Sequence, residues 1–138
     1  MTKYMLHNFT QWLSEQNTQA LSVVPLSSFK YSEPNDEYLY HISPVSGKII
    51  QTGEIRSGKP TMGQGFYRSY SKGKVFFTER SEVKWWADRI EEHLEHQYDN
   101  PPPLSVVRIP REWIESRLQK DNIEPAHVSY FAVGSIKL

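Results

Sequence analysis

The chain has 138 residues, the length of one domain with room for one sizeable core. Its 16 Lys and Arg balance its 16 Asp and Glu, which leaves no broad basic field to neutralise the phosphates of duplex DNA. The absence of cysteine excludes disulfides and thiolate chemistry, and every apolar run is too short for a membrane span.

The first twenty residues lack the basic-then-apolar layout of a signal peptide, so a soluble cytoplasmic domain is expected. Within them, Met5, Phe9, Trp12 and Leu13 predict a helix over 2–16, with Thr2 as N-cap. The polar, Pro-containing "SEPNDE" (32–37) reads as a loop, and the aromatic, β-branched "YLYHI" (38–42) as a strand. A short helix follows in "SPVSGKIIQTGEI". Ser43 suits its N-cap, Pro44 its first position and Gly53 a left-handed C-terminal cap, with Val45, Ile49 and Ile50 facing the core.

Residues 56–73 hold four glycines, four Ser or Thr residues and four basic side chains, which predicts a long loop with a functional flavour. "KVFFT" (74–78) is a strand. Ser81 then suits the cap of a helix that places Val83, Trp86, Ala87, Ile90 and Leu94 on one face. "DNPPP" (99–103) stops that helix and "LSVVRI" (104–109) is a strand. Pro110 opens a helix with Trp113, Ile114, Arg117 and Leu118, and "HVSYFAVGSI" (127–136) is a last strand, bent at Gly134. The helices are short and the loops uneven. That favours one α+β domain with a small curved core sheet over a regular parallel sheet.

Four groups of residues invite a chemical reading. His93 and His96 in "HLEH", with Glu92 and Glu95, have a spacing that suits zinc. They flank a charged helix face with no third ligand at a recognisable spacing, so a solvated face is the expectation and no metal is assigned. His41 ends a strand just before a helix start, where donors commonly meet a ligand; the alternative is a buried hydrogen bond. The 56–73 loop lacks both phosphate-loop glycine patterns. Its basic residues interleave with Phe66, Tyr67 and Tyr70, as a dinucleotide or single-stranded RNA would require, though a plain solvated loop fits as well. Glu79 and Arg80 occupy the turn after "VFFT". Glu79 has the chemistry of a base or of a cation stabiliser and Arg80 that of a phosphate anchor, while mutual pairing in an exposed turn is the plain alternative.

In order, "YLYHIS", "IIQTGEIRSG" and "GKVFFTERSEVKWWA", followed by "LSVVRIPREWI" and "HVSYFAVGSI", resemble the ADP-ribosyltransferase superfamily over roughly residues 38–136. The resemblance is to the diphtheria-toxin-like and poly(ADP-ribose) polymerase branch, and within it to small bacterial toxin domains. It implies a split, curved, mixed sheet and NAD as substrate. ADP-ribose would pass to a macromolecular target, protein or RNA, or the NAD would be hydrolysed. A toxin-like effector delivered into a target cell would also have a cognate immunity protein.

Residue by residue, the resemblance gives His41 the adenosine ribose and the backbone of Ile42 and Ser43 the nicotinamide amide. It places Phe76 where the family has a stacking Tyr; in the superfamily's RNA 2′-phosphotransferase branch, where Arg and His dominate, Arg68 or Arg80 would take such roles, and Tyr67 of the basic loop joins them as a candidate cofactor contact. The family's late catalytic Glu falls at Ser129, which cannot stabilise a ribosyl cation, so Glu79 is the carboxylate to test. Two rivals stand beside this reading. One is a metal-independent ribonuclease with His41 and His127 as acid and base and Arg68 or Arg80 on phosphate. The other is a non-catalytic module that binds a nucleotide or a protein.

Overall fold

The structure is a computed structural model that describes residues 21–31, 34, 37–57, 72–122 and 124–138. The helix expected over 2–16, most of the 32–37 loop and most of the 56–73 loop, Tyr67 and Arg68 included, lie outside the described residues. The strands are β1 (Ser22–Pro25), β2 (Tyr38–Ser43), β3 (Glu54–Ile55), β4 (Lys74–Phe77), β5 (Ser105–Pro110), β6 (Gln119–Asp121), β7 (Ser129–Val133) and β8 (Ile136–Lys137). The α-helices are α1 (Ser46–Thr52), α2 (Val83–Gln97) and α3 (Arg111–Ile114). The fold is α+β, as expected.

Two three-stranded sheets, in the orders β1-β5-β2 and β4-β7-β6, are accompanied by a β3-β8 ribbon. Every pairing among the described strands is antiparallel. The two larger sheets touch through one bridge, Tyr40 to Thr78, closed by a reciprocal pair of backbone hydrogen bonds of 2.9 Å each. Past this bridge the described strands β2 and β4 belong to separate sheets, which leaves a split between them.

Both halves contribute to one apolar core. Leu39, Val107 and Ile109 come from the first sheet, Val75, Phe77 and Ala132 from the second, and Ile49, Ile55, Ile114 and Ile136 close the sides. Burying each of the larger side chains contributes about 1.5–3 kcal/mol. Alternation along the strands puts Tyr40 and Val106 on the other face, where they pack with Phe29 and with Val83 of α2. Helix α2 buries Val83, Ala87 and Leu94, and half-buries Trp86 and Ile90, which is the stripe read from the sequence.

Three boundaries differ from the sequence reading. Ser81 does not cap α2: the chain first makes a 3-10 turn over Arg80–Glu82, and the helix begins at Val83 without a side-chain cap. Ser43 stays in β2 opposite Ser105, its Oγ accepting the Val45 N–H at 3.0 Å. Helix α1 therefore starts at Ser46, and Val45 sits in the preceding turn, 54 % exposed instead of facing the core. Pro110 closes β5, and α3 is only four residues long before a 3-10 turn over Glu115–Arg117. The glycine expectations hold. Gly53 ends α1 at φ 69°, and Gly134 at φ 82° turns the chain from β7 into β8, where Ile136 enters the core opposite Ile55. Among the described residues no helix is long and apolar enough to cross a membrane.

Candidate functional site

The turn that follows β4 sends three charged side chains in three directions. Glu79 Oε1 accepts hydrogen bonds from Arg111 Nη2 at 3.1 Å and from the Tyr130 hydroxyl at 3.0 Å. Arg80 goes inward: Nη1 donates to the Lys30 carbonyl at 3.1 Å and Nη2 to the Tyr40 hydroxyl at 2.7 Å. Its guanidinium also lies 5.0 Å from the Phe29 ring centroid and 5.3 Å from that of Tyr40. Glu82 Oε2 pairs with His127 Nδ1 at 2.7 Å. Glu79 and Arg80 therefore do not pair with each other in an exposed turn. Each binds a different part of the fold.

The local backbone explains this divergence. Glu79 remains extended, at φ −86° and ψ 162°, and so continues the alternation of β4 on the side of Phe77. Phe77 is registered with Tyr130, which brings the Tyr130 hydroxyl towards Glu79. Arg111 arrives from the end of β5, fixed by its own N–H donating to the Glu37 carbonyl at 2.8 Å. Glu79 and Arg111 keep 21 % and 26 % side-chain exposure, enough for a ligand to reach and little enough to strengthen the pair. Burial lowers the Arg111 pKa, but the Glu79 and Tyr130 side chains outweigh it and the net shift is upward. Burial raises the Tyr130 pKa, aided by Glu79 and opposed by Arg111, which keeps the phenol a donor.

His41 occupies the split itself. Beyond the Tyr40–Thr78 bridge, the next ladder bond would join the Ile42 N–H to the Phe76 carbonyl. That carbonyl instead lies 2.8 Å from His41 Nδ1, so an imidazole nitrogen stands where the ladder donor would be. Its ring also packs on Phe77, with centroids 5.7 Å apart. Burial pulls the His41 pKa below 6.5 and the Phe76 carbonyl only partly offsets this. A neutral ring donating from Nδ1 leaves Nε2 as its acceptor. Continued from the Tyr40–Thr78 bridge, the antiparallel register sets Leu39 opposite Glu79 and His41 opposite Phe77, so His41 and Glu79 stand two ladder steps, ~7 Å along the strand, apart on one face.

The other expected site residues fall elsewhere. The Phe76 ring is on the opposite face of β4, 6.2 Å from its cross-strand partner Phe131, so only its backbone carbonyl joins the His41 group. Ser129 shares the Phe131 face of β7, is buried, and stands opposite Asp121 in the ladder. Its side chain thus lies away from the Tyr130 side that holds Glu79. Ile42 and Ser43 continue β2 beyond His41, with Ile42 packed in the Tyr40 cluster. His127 stacks on Trp85 at 3.8 Å and 13°, away from the partners of His41. His93 is half-buried and His96 exposed on α2.

Sequence reasoning missed Arg111 and Tyr130. Arg111 had a signal, a basic residue directly after the strand "SVVRIP", where a βα junction exposes side chains. Tyr130 had only the alternation of β7, which cannot say what faces it. No known protein family, characterised protein or solved structure matches the chain.

Proposed function

We propose that the protein cleaves the nicotinamide–ribose bond of NAD and passes ADP-ribose to a macromolecule, or to water. The observation that carries this reading is Glu79, a half-open carboxylate oriented by Arg111 and Tyr130 on the same face of the split as His41. As the bond breaks, its electron pair leaves on nicotinamide and positive charge develops on the ribose. A preorganised carboxylate stabilises that charge without reorganising at the moment of reaction. His41, neutral and fixed by the Phe76 carbonyl, offers Nε2 to a ribose hydroxyl.

Two parts of the resemblance change under this reading. The late carboxylate is supplied by Glu79, because Ser129 lies on the other face. The aromatic surface for the nicotinamide is that of Tyr130, because Phe76 turns its ring away from Glu79. Arg80, tied to Lys30 and Tyr40, supports the turn under this reading. The ribonuclease reading needs His41 and His127 on one phosphodiester, and their separate partners lend it no support.

Nicotinamide release from NAD, followed by liquid chromatography, tests the proposal. The wild-type chain is expected to release it, Glu79→Gln to lose about 100-fold, the order found when one charge-stabilising group is removed, and His41→Ala to bind NAD more weakly. A wild-type chain that neither binds NAD nor releases nicotinamide would contradict the reading.

A further inference from the structure

An antiparallel sheet that packs one face on the core usually turns polar side chains outward on the other. The β4-β7-β6 sheet does not. Its inner face sends Val75, Phe77 and Ala132 into the core, while its outer face carries Lys74, Phe76, Phe131, Val133 and Gln119. The register sets Phe76, Phe131 and Gln119 in one row across the three strands, with Lys74 and Val133 in the next row on that face. The two rings lie 6.2 Å apart at 48° and are half-buried, and they join neither apolar cluster of the described residues. Val133 is 71 % exposed, the most of any large apolar residue described.

From this face we infer a binding site for single-stranded nucleic acid, in which unpaired bases stack on Phe131 and Phe76 and Lys74 and Lys72 meet the adjoining phosphates. The inference goes beyond the NAD reading and does not rest on it, because Glu79 and Tyr130 lie on the opposite face of the sheet.

The chemistry of the face selects this occupant over a plain apolar partner. Lys74 Nζ stands 4.7 Å from the Phe131 centroid, so positive charge is built into the aromatic surface. An apolar partner would have to bury that ammonium, whereas a phosphate pairs with it. Lys72, exposed, adds a second cation just before β4. At the far end of the aromatic row, the exposed Gln119 amide both donates and accepts, as the edge of a base requires. Asp121, buried opposite Ser129, closes the face on the side away from Lys74, which leaves the phosphates the lysine side. Every base has a π-face, so stacking on paired sheet aromatics tolerates any sequence. A duplex hides those faces, and a chain of balanced charge has no broad field to hold one.

Fluorescence anisotropy with labelled oligo(U) and oligo(dT) of about ten nucleotides, and with a duplex of equal length, tests the site. The wild type should bind the single strands more tightly than the duplex; a preference between RNA and DNA would name the source and sustain the site. Phe131→Leu keeps an apolar side chain but removes the π-face, and should weaken single-strand binding about tenfold, whereas Phe131→Trp should retain it. Lys74→Gln should flatten the slope of log affinity against log salt by about 0.7, the loss of one phosphate contact. Melting temperatures establish which variants fold. No binding of either strand, equal binding of the duplex, or full binding by a folded Phe131→Leu would overturn the inference. Should Phe131→Leu fail to fold, an unaltered salt slope in Lys74→Gln would overturn it equally. None of these outcomes touches the Glu79 reading, which nicotinamide release tests separately.

Discussion

Glu79 and Arg80 are neighbours in the chain and opposites in the structure. Arg80 is 9 % exposed, lies against two aromatic rings and bonds a backbone carbonyl and a buried hydroxyl. Glu79 is half-open, and among the described residues it is bonded by two side chains on different elements, α3 and β7. A charge whose contacts among the described residues lie inside the fold serves stability. A charge oriented by others yet open to solvent is available for chemistry. The single turn after β4 carries both, which explains how its position can be fixed firmly while one of its side chains stays accessible.

The contrast makes quantitative demands. Arg80→Met should be the most destabilising of these changes, at about 3 kcal/mol, because the Lys30 carbonyl and the Tyr40 hydroxyl lose a charged donor and partner and two rings lose a cation. A shift in the urea midpoint at unchanged slope would measure it. If Arg80→Met were neutral for stability but abolished nicotinamide release, the two residues would have to exchange roles. Tyr130→Phe removes one donor to a half-exposed carboxylate that Arg111 still holds, so a loss of about 1 kcal/mol or less is expected. Release by Tyr130→Phe should fall by less than in Glu79→Gln, and equal losses would mean that the phenol acts in its own right.

A smaller effect should appear with pH. The folded state holds the His41 pKa below its ordinary 6.5, chiefly through burial. Above 6.5 both the folded and unfolded states carry a neutral ring and the contribution to stability is fully present. As pH falls below 6.5 the unfolded chain binds the proton first, so stability is lost progressively until the folded pKa is passed. Unfolding free energies of the wild type and of His41→Gln, compared across that window, should show the steeper acid decline in the wild type. Parallel curves would mean that His41 titrates alike in both states.

The strongly periodic parts were legible in the sequence: the α2 stripe, the strands around Tyr40, Phe77 and Val107, the left-handed cap at Gly53 and the bend at Gly134. The short strands β1, β3 and β6 were not. A run such as "QKD" in β6 carries no apolar alternation, and its pairing with β7 comes from tertiary placement. Ser81 and Ser43 misled for a shared reason. Each satisfies the local rule for a cap, but the preceding strand, or the contacts of Glu79, Arg80 and Glu82, hold the backbone elsewhere. Of the site, His41 and Glu79 could be read as candidates because a strand end followed by a polar turn is visible in one dimension. Arg111 carried only the weak signal of a basic residue after a strand and Tyr130 none beyond alternation, since what joins them to Glu79 is the meeting of the β5 end and β7 around the end of β4. The same alternation that Phe76 and Ser129 obey puts their side chains on the far face, and this depends on register that only the fold supplies.

The most direct measurement of the central claim is a two-dimensional amide NMR titration of the wild-type chain with NAD. The account predicts shifts concentrated at residues 39–43, 76–79 and 130, with little change at Phe29 or along the outer face of α2. Shifts centred on α2, or none at any NAD concentration that can be reached, would contradict it.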